Sequence, residues 1–361
     1  MKNEMKKMKI LLGNNTLSIL GGSETWTYTL AIQLKKMGHD VSCFASELGV
    51  FSDKLEDAGI KCYSDLSKKG LKPFSIVLEE EVDHNYDVII ANHNHIIGYL
   101  RAQFPKTPII NTVHGIIHEV DGKIAPEHPA MNCGVAQYVS VSEEVQDKLK
   151  KDYNLDSVVI RNFFDLSLFK DMKPVNYPMK QFLINTNYQL KDDPEIELIR
   201  EVAKHFGVKL TAIGQNFSQT DDIKMAIENA DVVFGMGRSV LEGMAAGRLG
   251  IVHGRWGTGG PMNYNEFAKL RYCNFSGRNS EGKLYTKEEM IEAIETNYNE
   301  FNLNYIKDYI AKEHNVILAA EEYIRLAREL TGQLILRPQE PALEVDTRRP
   351  FKLAKDVRQT S

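Results

Sequence analysis

Short apolar runs alternate with helical stripes of apolar residues from the start of the chain. Residues 9–12 and 41–45 are apolar runs that predict two buried strands. Between them, apolar residues recur at spacings of four, four and three, in the order Trp26, Leu30, Leu34 and Met37. This spacing places them on one face of a helix, and Gly38 is a typical helix end. The chain therefore opens with a strand, a polar glycine-bearing loop at 13–23, a helix and a second strand.

The same alternation continues through two successive series. The first adds predicted strands at 87–91, 108–113, 135–141 and 157–160. Residues 162–177 keep their apolar content but have no period, which indicates a packed connection between domains. The second series adds strands at 181–186, 208–214 and 272–275 and helices at 195–205, 221–229, 287–297, 305–313 and 317–330. Strands that alternate with helices favour parallel sheets, so we predict an α/β protein with two doubly wound units and a cleft between them.

Residues 230–254 combine strand, glycine turn and helix most densely. They predict a strand at 231–234, a turn at 235–237, a helix at 239–246 and a second strand at 249–253. A helix that begins just past a strand offers unpaired N–H groups to an anion. Arg238 and Glu242 lie four residues apart and share one helical face. There the guanidinium can meet a phosphate and the carboxylate can accept hydrogen bonds from two hydroxyl groups.

Two structural interpretations of the same residues remain open. Ser239 and Glu242 fit the S-x-x-E capping box, in which the glutamate only closes its own helix. Arg238 and Glu242 also fit a surface ion pair, which stabilises a helix by roughly 0.3 kcal/mol. The stretch by itself does not choose between these interpretations and a ligand site.

Length and composition narrow the class of protein. A chain of 361 residues exceeds one ordinary core and indicates two domains. Apolar residues make up 43% and charged residues 26%, as in globular proteins, and the net charge of −5 does not indicate nucleic-acid binding. No apolar run approaches the ~20 residues of a membrane span. The cysteines are scattered and indicate reduced thiols in a cytosolic protein: Cys43, Cys62, Cys133 and Cys273.

The two ends of the chain differ from the rest. Four lysines fall within the first nine residues, namely Lys2, Lys6, Lys7 and Lys9. They indicate a solvated start or a weak attraction to anionic lipid headgroups. Residues 333–361 place three prolines among mixed charges and predict a poorly ordered tail.

A set of motifs, in order along residues 9–330, resembles one family of enzymes. The stretch LLGNNTLSILGGSETWTYTLAIQLKKMGHDVSCFA holds a Gly-Gly-x-Glu loop and a Gly-His-x-Val helix end. Further motifs follow: NTVHG (111–115), VSVSEEVQDKL (139–149), VVIRNFFD (158–165), ADVVFGMGRSVLEGMAAGR (230–248) and NFSGR (274–278). Together they resemble the family 4 retaining glycosyltransferases of the GT-B fold, in a bacterial branch of that family.

This resemblance implies a fold and an activity. The fold is GT-B, with an acceptor-side Rossmann-like domain at 1–170, a nucleotide-sugar domain at 171–316 and a helix at 317–332 that crosses back to the first domain. The activity is transfer of a hexosyl group from a UDP- or GDP-linked sugar to a glycan, lipid-linked or other hydroxyl acceptor, with retention, as in polysaccharide biosynthesis. Neither a cofactor nor a metal ion is required, because arginine, lysine and backbone amides stabilise the diphosphate. The expected location is the cytoplasm, with possible weak contact at the inner membrane face.

The resemblance also implies roles for individual residues. It implies that the catalytic residues are His114, Arg238 and Lys191. The residues expected to bind the nucleotide and its phosphates are Gly21, Gly22, Gly237, Ser239 and Glu242. The residues expected to contact the substrate are Glu24, His118 and Asn162. A metal site built from His93, His95, His114 and His118 is the weaker alternative, because no cysteine or carboxylate ligand stands beside them. Residues 257–260 are a second glycine-rich loop by the cleft or a surface turn.

The sequence departs from the family pattern at two places. The family has a glutamate eight positions before the one at Glu242, and here that position is Phe234. It also has an arginine–lysine pair after the first strand of the second domain, where Lys191 is present and residues 185–187 offer no arginine. Arg238 can compensate, because a guanidinium binds phosphate oxygens in a forked way. Two alternatives remain: a non-catalytic nucleotide- or glycan-binding homologue, and a sugar-nucleotide epimerase or phosphorylase on the same fold, with His114 as base.

Overall fold

The computed structural model describes residues 6–19, 21–64, 85–116, 134–187, 189–214, 216–218 and 222–332. Several expectations lie outside this part of the chain, namely those for Lys2, His118, Cys133 and the tail at 333–361. Within the described residues, none of the helices combines the length and the apolar character that a membrane span requires.

The first unit is a seven-stranded parallel sheet with helices on both faces. Its strands are β1 (Lys9–Thr16), β2 (Asp40–Glu47), β3 (Lys61–Ser64), β4 (Val88–Asn92), β5 (Ile109–Val113), β6 (Gln137–Ser140) and β7 (Ser157–Val159). They lie in the order β3-β2-β1-β4-β5-β6-β7. Its helices are α1 (Gly22–Lys36), α2 (Val50–Asp57), α3 (Asn94–Gln103) and α4 (Glu143–Tyr153).

The apolar stripe of α1 forms the core on one face of this sheet. Trp26, Leu30 and Leu34 are buried against the β1 side chains Ile10 and Leu12. The intervening β1 residues face α3 on the other side, since successive strand residues point to opposite faces. The helical spacing read from the sequence therefore identifies the buried face correctly.

The second unit is a five-stranded sheet in the order β12-β11-β10-β8-β9. Its strands are β8 (Gln181–Asn185), β9 (Lys209–Ile213), β10 (Val232–Gly235), β11 (Leu249–Gly254) and β12 (Gly257–Pro261). Its helices are α5 (Pro194–Phe206), α6 (Ile223–Glu228), α7 (Arg238–Ala245), α8 (Phe267–Tyr272), α9 (Lys287–Asn297) and α10 (Glu300–Glu313). Strands β8 to β11 are parallel, and β12 returns antiparallel to β11.

Two local predictions in this unit are wrong. Residues 257–260 form most of β12 rather than a loop, because a tight return after Gly254 lets this glycine run pair with β11. The strand predicted at 272–275 is the end of α8 followed by a turn. Asn274 and Phe275 both have positive φ angles, 55° and 53°, and Phe275 is buried as an anchor in the core. The apolar residue Phe275 therefore anchors a turn, and the strand predicted from it is wrong.

The last described helix, α11 (Val316–Leu330), follows the second unit in the chain and packs on the first. Tyr323 lies edge-on to Trp26 with ring centroids 5.7 Å apart. Its hydroxyl shares a 2.8 Å hydrogen bond with Oγ1 of Thr112 at the end of β5. A helix therefore crosses from one unit to the other, while the domain limits at 170 and 316 stay predictions.

Candidate active site

A glycine turn connects β10 to α7 at the carboxyl edge of the second sheet. Gly237 has φ 54° and ψ −126°, a conformation that glycine adopts without strain. Its N–H donates a 2.7 Å hydrogen bond to the carbonyl of Phe275, so the NFSGR segment supports the turn from behind. A Cβ at Gly235 would lie 2.8 Å from the carbonyl oxygen of Asn185, which ends the neighbouring strand. The packing of adjacent strand ends thus requires glycine here.

Arg238 and Glu242 form an ion pair at the start of α7. Nε of Arg238 donates to Oε1 of Glu242 at 2.7 Å, and the two side chains are 21% and 11% exposed. The helix is capped by Gly237, which makes no side-chain hydrogen bond, so Glu242 lies in the second turn. The capping-box interpretation of Ser239 and Glu242 is therefore wrong. The pair itself forms, but it is largely buried rather than a surface pair.

A short series of contacts links Arg238 to the predicted catalytic histidine. Nη1 of Arg238 donates to the carbonyl of Phe163, in the connection between the units, at 3.2 Å. The Phe163 ring lies 5.5 Å from Trp26 on α1, and Trp26 lies edge-on to His114 at 5.3 Å. His114 directly follows β5. Residues of the second unit, the connection and the first unit therefore meet in one region.

The glycine loop before α1 lies against a buried carboxylate. Glu24 is 4% exposed, and a Cβ at Gly21 would overlap with its Oε2. Gly22 begins α1, is exposed, and has open space where a Cβ would stand. The absence of side chains at Gly21 and Gly22 thus lets the Glu24 carboxylate lie under the loop.

Asn162, predicted to touch substrate, lies at the start of the connection and contacts the second unit. Its Nδ2 donates to Oδ1 of Asn274 at 3.1 Å, and its carbonyl lies 2.6 Å from Nδ1 of His314. Burial lowers the pKa of His314 to about 4, so the ring is neutral at pH 7 and Nδ1 is the donor. The ring of Phe164 lies nearly parallel to His314, at 4°. The start of the connection is therefore held to the second unit by two hydrogen bonds.

A second junction between the units consists of charges around α4. Arg278 donates from Nε and Nη2 to the Glu144 carboxylate, and Arg161 donates to both oxygens of Glu143 at 2.8 and 2.6 Å. Arg271 approaches Glu143 at 3.3 Å. Burial raises the pKa of Glu143, but hydrogen bonds and charge from Arg161 outweigh it and leave the pKa lowered. The resemblance supplied NFSGR as a motif but did not indicate this ionic role for Arg278.

Two further residues predicted for the site, Lys191 and Ser239, lie beyond the carboxyl ends of two of the second unit's strands. Lys191 is exposed in the turn between β8 and α5, and its carbonyl accepts a 2.7 Å hydrogen bond from Arg200. Ser239 lies in the first turn of α7, half-buried beside Gly235. In the described part of the chain, no group of three or more His, Cys, Asp or Glu side chains could hold a metal ion.

Sequence reasoning missed two buried asparagines. Asn14 lies near the end of β1 and Asn92 is the last residue of β4, both toward the carboxyl edge of the sheet, and both are fully buried. The available signal was a polar residue directly after an apolar strand run, which in parallel sheets marks the ligand edge.

The chain is similar to glycosyltransferases in part of its sequence and in its fold. Residues 20–168 match the family described as Glycosyltransferase Family 4. No curated protein sequence matches the chain. HepE from Anabaena, solved with UDP, is 15% identical with a TM-score of 0.58, over 89% of this chain and 100% of that chain. A glycosyltransferase from Rickettsia africae is 13% identical with a TM-score of 0.59, over 90% and 99%. Sucrose-phosphate synthase from Thermosynechococcus elongatus is 11% identical with a TM-score of 0.57, over 90% and 100%.

These likenesses establish the fold. The two parallel sheets with their helices have the GT-B arrangement of the solved glycosyltransferases, as the sequence predicted.

Proposed function

We propose that the protein is a glycosyltransferase that moves a hexosyl group from a nucleoside-diphosphate sugar to a hydroxyl acceptor, with retention and without a metal ion. The observation that carries this proposal is the Arg238–Glu242 pair, at the carboxyl edge of β10 and in contact with Phe163 between the units. A ligand there would lie between the two sheets, where open α/β folds bind nucleotides.

The pair offers a suitable set of donors and acceptors. Nε and Nη1 of Arg238 are engaged by Glu242 and Phe163, and within the described residues Nη2 makes no hydrogen bond. Nη2 can therefore donate to a phosphate oxygen while the other nitrogens hold the guanidinium in place. Glu242 keeps Oε2 for a ribose hydroxyl. The N–H groups at the start of α7 add positive potential for the leaving diphosphate.

The reaction can proceed by positioning and preorganised charge. The departing diphosphate is stabilised by Arg238, by the α7 terminus and by Lys191, which can swing in from its exposed turn. His114, held edge-on by Trp26, faces the transferring sugar from the first unit. The acceptor hydroxyl is held on the same face of the sugar, so that the anomeric configuration is retained.

The comparisons support the donor class. HepE was solved with UDP and with UDP-glucose, and we propose a UDP-linked donor for this chain ahead of a GDP-linked one. We place the reaction in the cytoplasm, with at most weak peripheral contact with the inner membrane face.

A direct assay tests the proposal. The protein is incubated with UDP-glucose, UDP-galactose, UDP-N-acetylglucosamine and GDP-mannose, with and without octyl glycoside acceptors, in buffer with EDTA. We expect nucleoside diphosphate release that rises with acceptor, and a product whose anomeric coupling constant by NMR matches that of the donor. Release that requires added Mg²⁺ or Mn²⁺ would contradict metal independence. Interconversion of donors without acceptor would indicate an epimerase.

One observation favours a second candidate, a nucleotide-binding protein without transfer activity. Phe234, at the position of the missing glutamate, is 1% exposed and packs between Phe182 and His253 in the core. The Phe234 ring offers no hydrogen bond to a transferring sugar. Tight binding of UDP together with no turnover of any donor across the acceptor panel would select this candidate.

A further inference from the structure

Two buried asparagines lie side by side under the start of α1. Strands β1 and β4 pair in parallel with Gly13 opposite Ala91, so the next residues, Asn14 and Asn92, are neighbours. Both are fully buried. Among the residues that the structure describes, neither Nδ2 of Asn14 nor Oδ1 of Asn92 has a hydrogen-bond partner. Buried polar groups are normally paired, so an unpaired donor beside an unpaired acceptor indicates a group that is missing from the site.

Both side chains point to the α1 face of the sheet. Ile10 and Leu12 pack on that face, and strand alternation places Asn14 with them. Asn92 confirms the direction, because its Nδ2 lies 3.5 Å from Oγ1 of Thr27 on α1. The Thr27 hydroxyl is itself directed to the carbonyl of Ser23 at 3.0 Å. The unpaired atoms therefore face the first turns of α1.

Glu24 brings a carboxylate to the same place. It lies three residues before Thr27 and so shares its helical face, one turn nearer the start of α1. It is 4% exposed. Oε2 of Glu24 lies where a Cβ of Gly21 would stand. The Glu24 carboxylate thus lies beneath the Gly21–Gly22 loop, on the helical face that Thr27 shares and that Asn92 contacts through Thr27.

The chemistry of these groups indicates their ligand. Asn14 supplies N–H donors, whereas Asn92 and Glu24 supply acceptors. A hydroxyl group both donates and accepts, so adjacent hydroxyls satisfy all three groups together. A phosphate or carboxylate would place a second negative charge beside Glu24 in a site of low dielectric, where the repulsion is strong.

We propose that Asn14, Asn92 and Glu24 bind neighbouring hydroxyls of a neutral sugar acceptor and exclude acceptors that carry an anionic group at this position. The inference rests on the proposed glycosyl transfer, and it names the acceptor class that the first unit selects. The three residues act as acceptor-specificity residues and take no part in binding the nucleotide.

A matched pair of acceptors tests this inference. Octyl β-glucoside and octyl β-glucuronide differ only at C6, which is a neutral CH2OH group in one and a carboxylate in the other. With UDP-glucose as donor, we expect the wild-type protein to prefer the glucoside by at least tenfold in kcat/KM. Asn14→Leu and Asn92→Leu should each raise the acceptor KM by about tenfold with no change in the Kd for UDP. Glu24→Gln should narrow the preference over the glucuronide.

Controls separate a local effect from misfolding. Asn229→Leu removes an exposed asparagine at the end of α6, and its acceptor KM should equal that of wild type. Near-UV circular dichroism checks that each variant keeps its tertiary structure. If a leucine variant does not fold, Glu24→Gln still tests the site, because it keeps the shape of the side chain. Unchanged acceptor KM values in folded variants, or a preference for the glucuronide, would overturn the inference.

Direct binding distinguishes this inference from the proposed function. Saturation-transfer NMR with octyl glucoside, galactoside and mannoside reports the acceptor site without a donor. Turnover or binding of UDP-glucose, with no neutral glycoside bound or used, overturns the acceptor assignment and leaves the proposed function standing. Failure to bind any nucleotide sugar overturns the proposed function, whereas glycoside binding that weakens in Asn14→Leu still supports the site.

Discussion

Arg278 of the second unit is hydrogen-bonded to Glu144 in the first turn of α4, in the first unit. The pair is only partly exposed, at 26% and 17%. Glu143 beside it is paired with Arg161, and Tyr272 donates to Asp147 one turn further along α4 at 2.9 Å. The two units are therefore joined through the first turns of α4 as well as through the covalent connection.

Breaking this ionic junction should loosen the two units. For Glu144→Gln we expect a loss of about 1 kcal/mol, because charge-assisted hydrogen bonds contribute roughly 1.5–3 kcal/mol and partial exposure reduces that value. A double-mutant cycle with Arg278→Gln, measured by urea unfolding, gives the coupling energy. Small-angle scattering should show a larger radius of gyration for Glu144→Gln. Arg325→Gln, which breaks pairs within α11 only, is the control, and an equal change in that variant would contradict the junction.

Removing the charge of Glu242 should weaken nucleotide binding. Glu242→Gln loses a charged acceptor for a ribose hydroxyl and frees Arg238, so we expect the Kd for UDP to rise by about 10-fold or more, corresponding to roughly 1.5–3 kcal/mol. Isothermal titration calorimetry measures the change. Glu197→Gln removes a glutamate from an exposed pair with Arg200 on α5 and serves as the matched control. If Glu242→Gln binds UDP like wild type, the glutamate has only a structural role.

A methyl group at Gly237 should strain the turn before α7. Its φ of 54° with ψ of −126° lies outside the regions open to other residues. Gly237→Ala should therefore destabilise the protein by about 1–3 kcal/mol. Gly98→Ala, in the interior of α3 with open space around the new methyl group, should be neutral or stabilising by up to about 1 kcal/mol. Thermal unfolding compares the two, and equal melting temperatures would be inconsistent with the strain.

Two buried histidines should make stability depend on pH between about 4 and 6.5. Burial lowers the pKa of His253 and His314 from 6.5 to about 4, so in this range only the unfolded chain binds their protons. Stability therefore falls as pH falls, by up to about 1.4 kcal/mol per pH unit for each histidine. Urea unfolding at pH 6.5 and 4.5 should show a smaller loss in His314→Gln than in wild type, by roughly 2–3 kcal/mol. His205→Gln, at an exposed histidine on α5, controls for the loss of an imidazole, and identical losses in all three proteins would refute the effect.

The periodic parts of the chain were predictable and the irregular ones were not. The stripe from Trp26 to Leu34 identified the buried face of α1, and the helix at 287–297 is reproduced by α9 residue for residue. The turn at Asn274 and Phe275 was mistaken for a strand, because a single buried aromatic residue has no period. Local pattern reports which side of an element is apolar, whereas turns depend on contacts with distant segments.

The candidate site shows the same division. The resemblance directed attention to His114, Gly21, Arg238 and Glu242, and the structure connects Arg238 to His114 through Phe163 and Trp26. It could not reveal that Asn162 is held by Asn274, since the two residues lie 112 positions apart. Nor could it reveal the unpaired groups of Asn14 and Asn92, because a missing hydrogen bond is visible only once all neighbours are placed.

The alternation of strands and helices, the two-unit α/β architecture and the glycine turns at strand ends could all be predicted from the amino-acid sequence. These features follow from spacing and from backbone conformations that few residues adopt. Three features became visible only in the folded protein: Glu242 pairs with Arg238 instead of capping its helix, Arg278 pairs with Glu144 across the units, and Asn14 lies beside Asn92. The physical reason is that ion pairs and buried polar groups depend on distances between segments far apart in the chain, which periodicity does not encode.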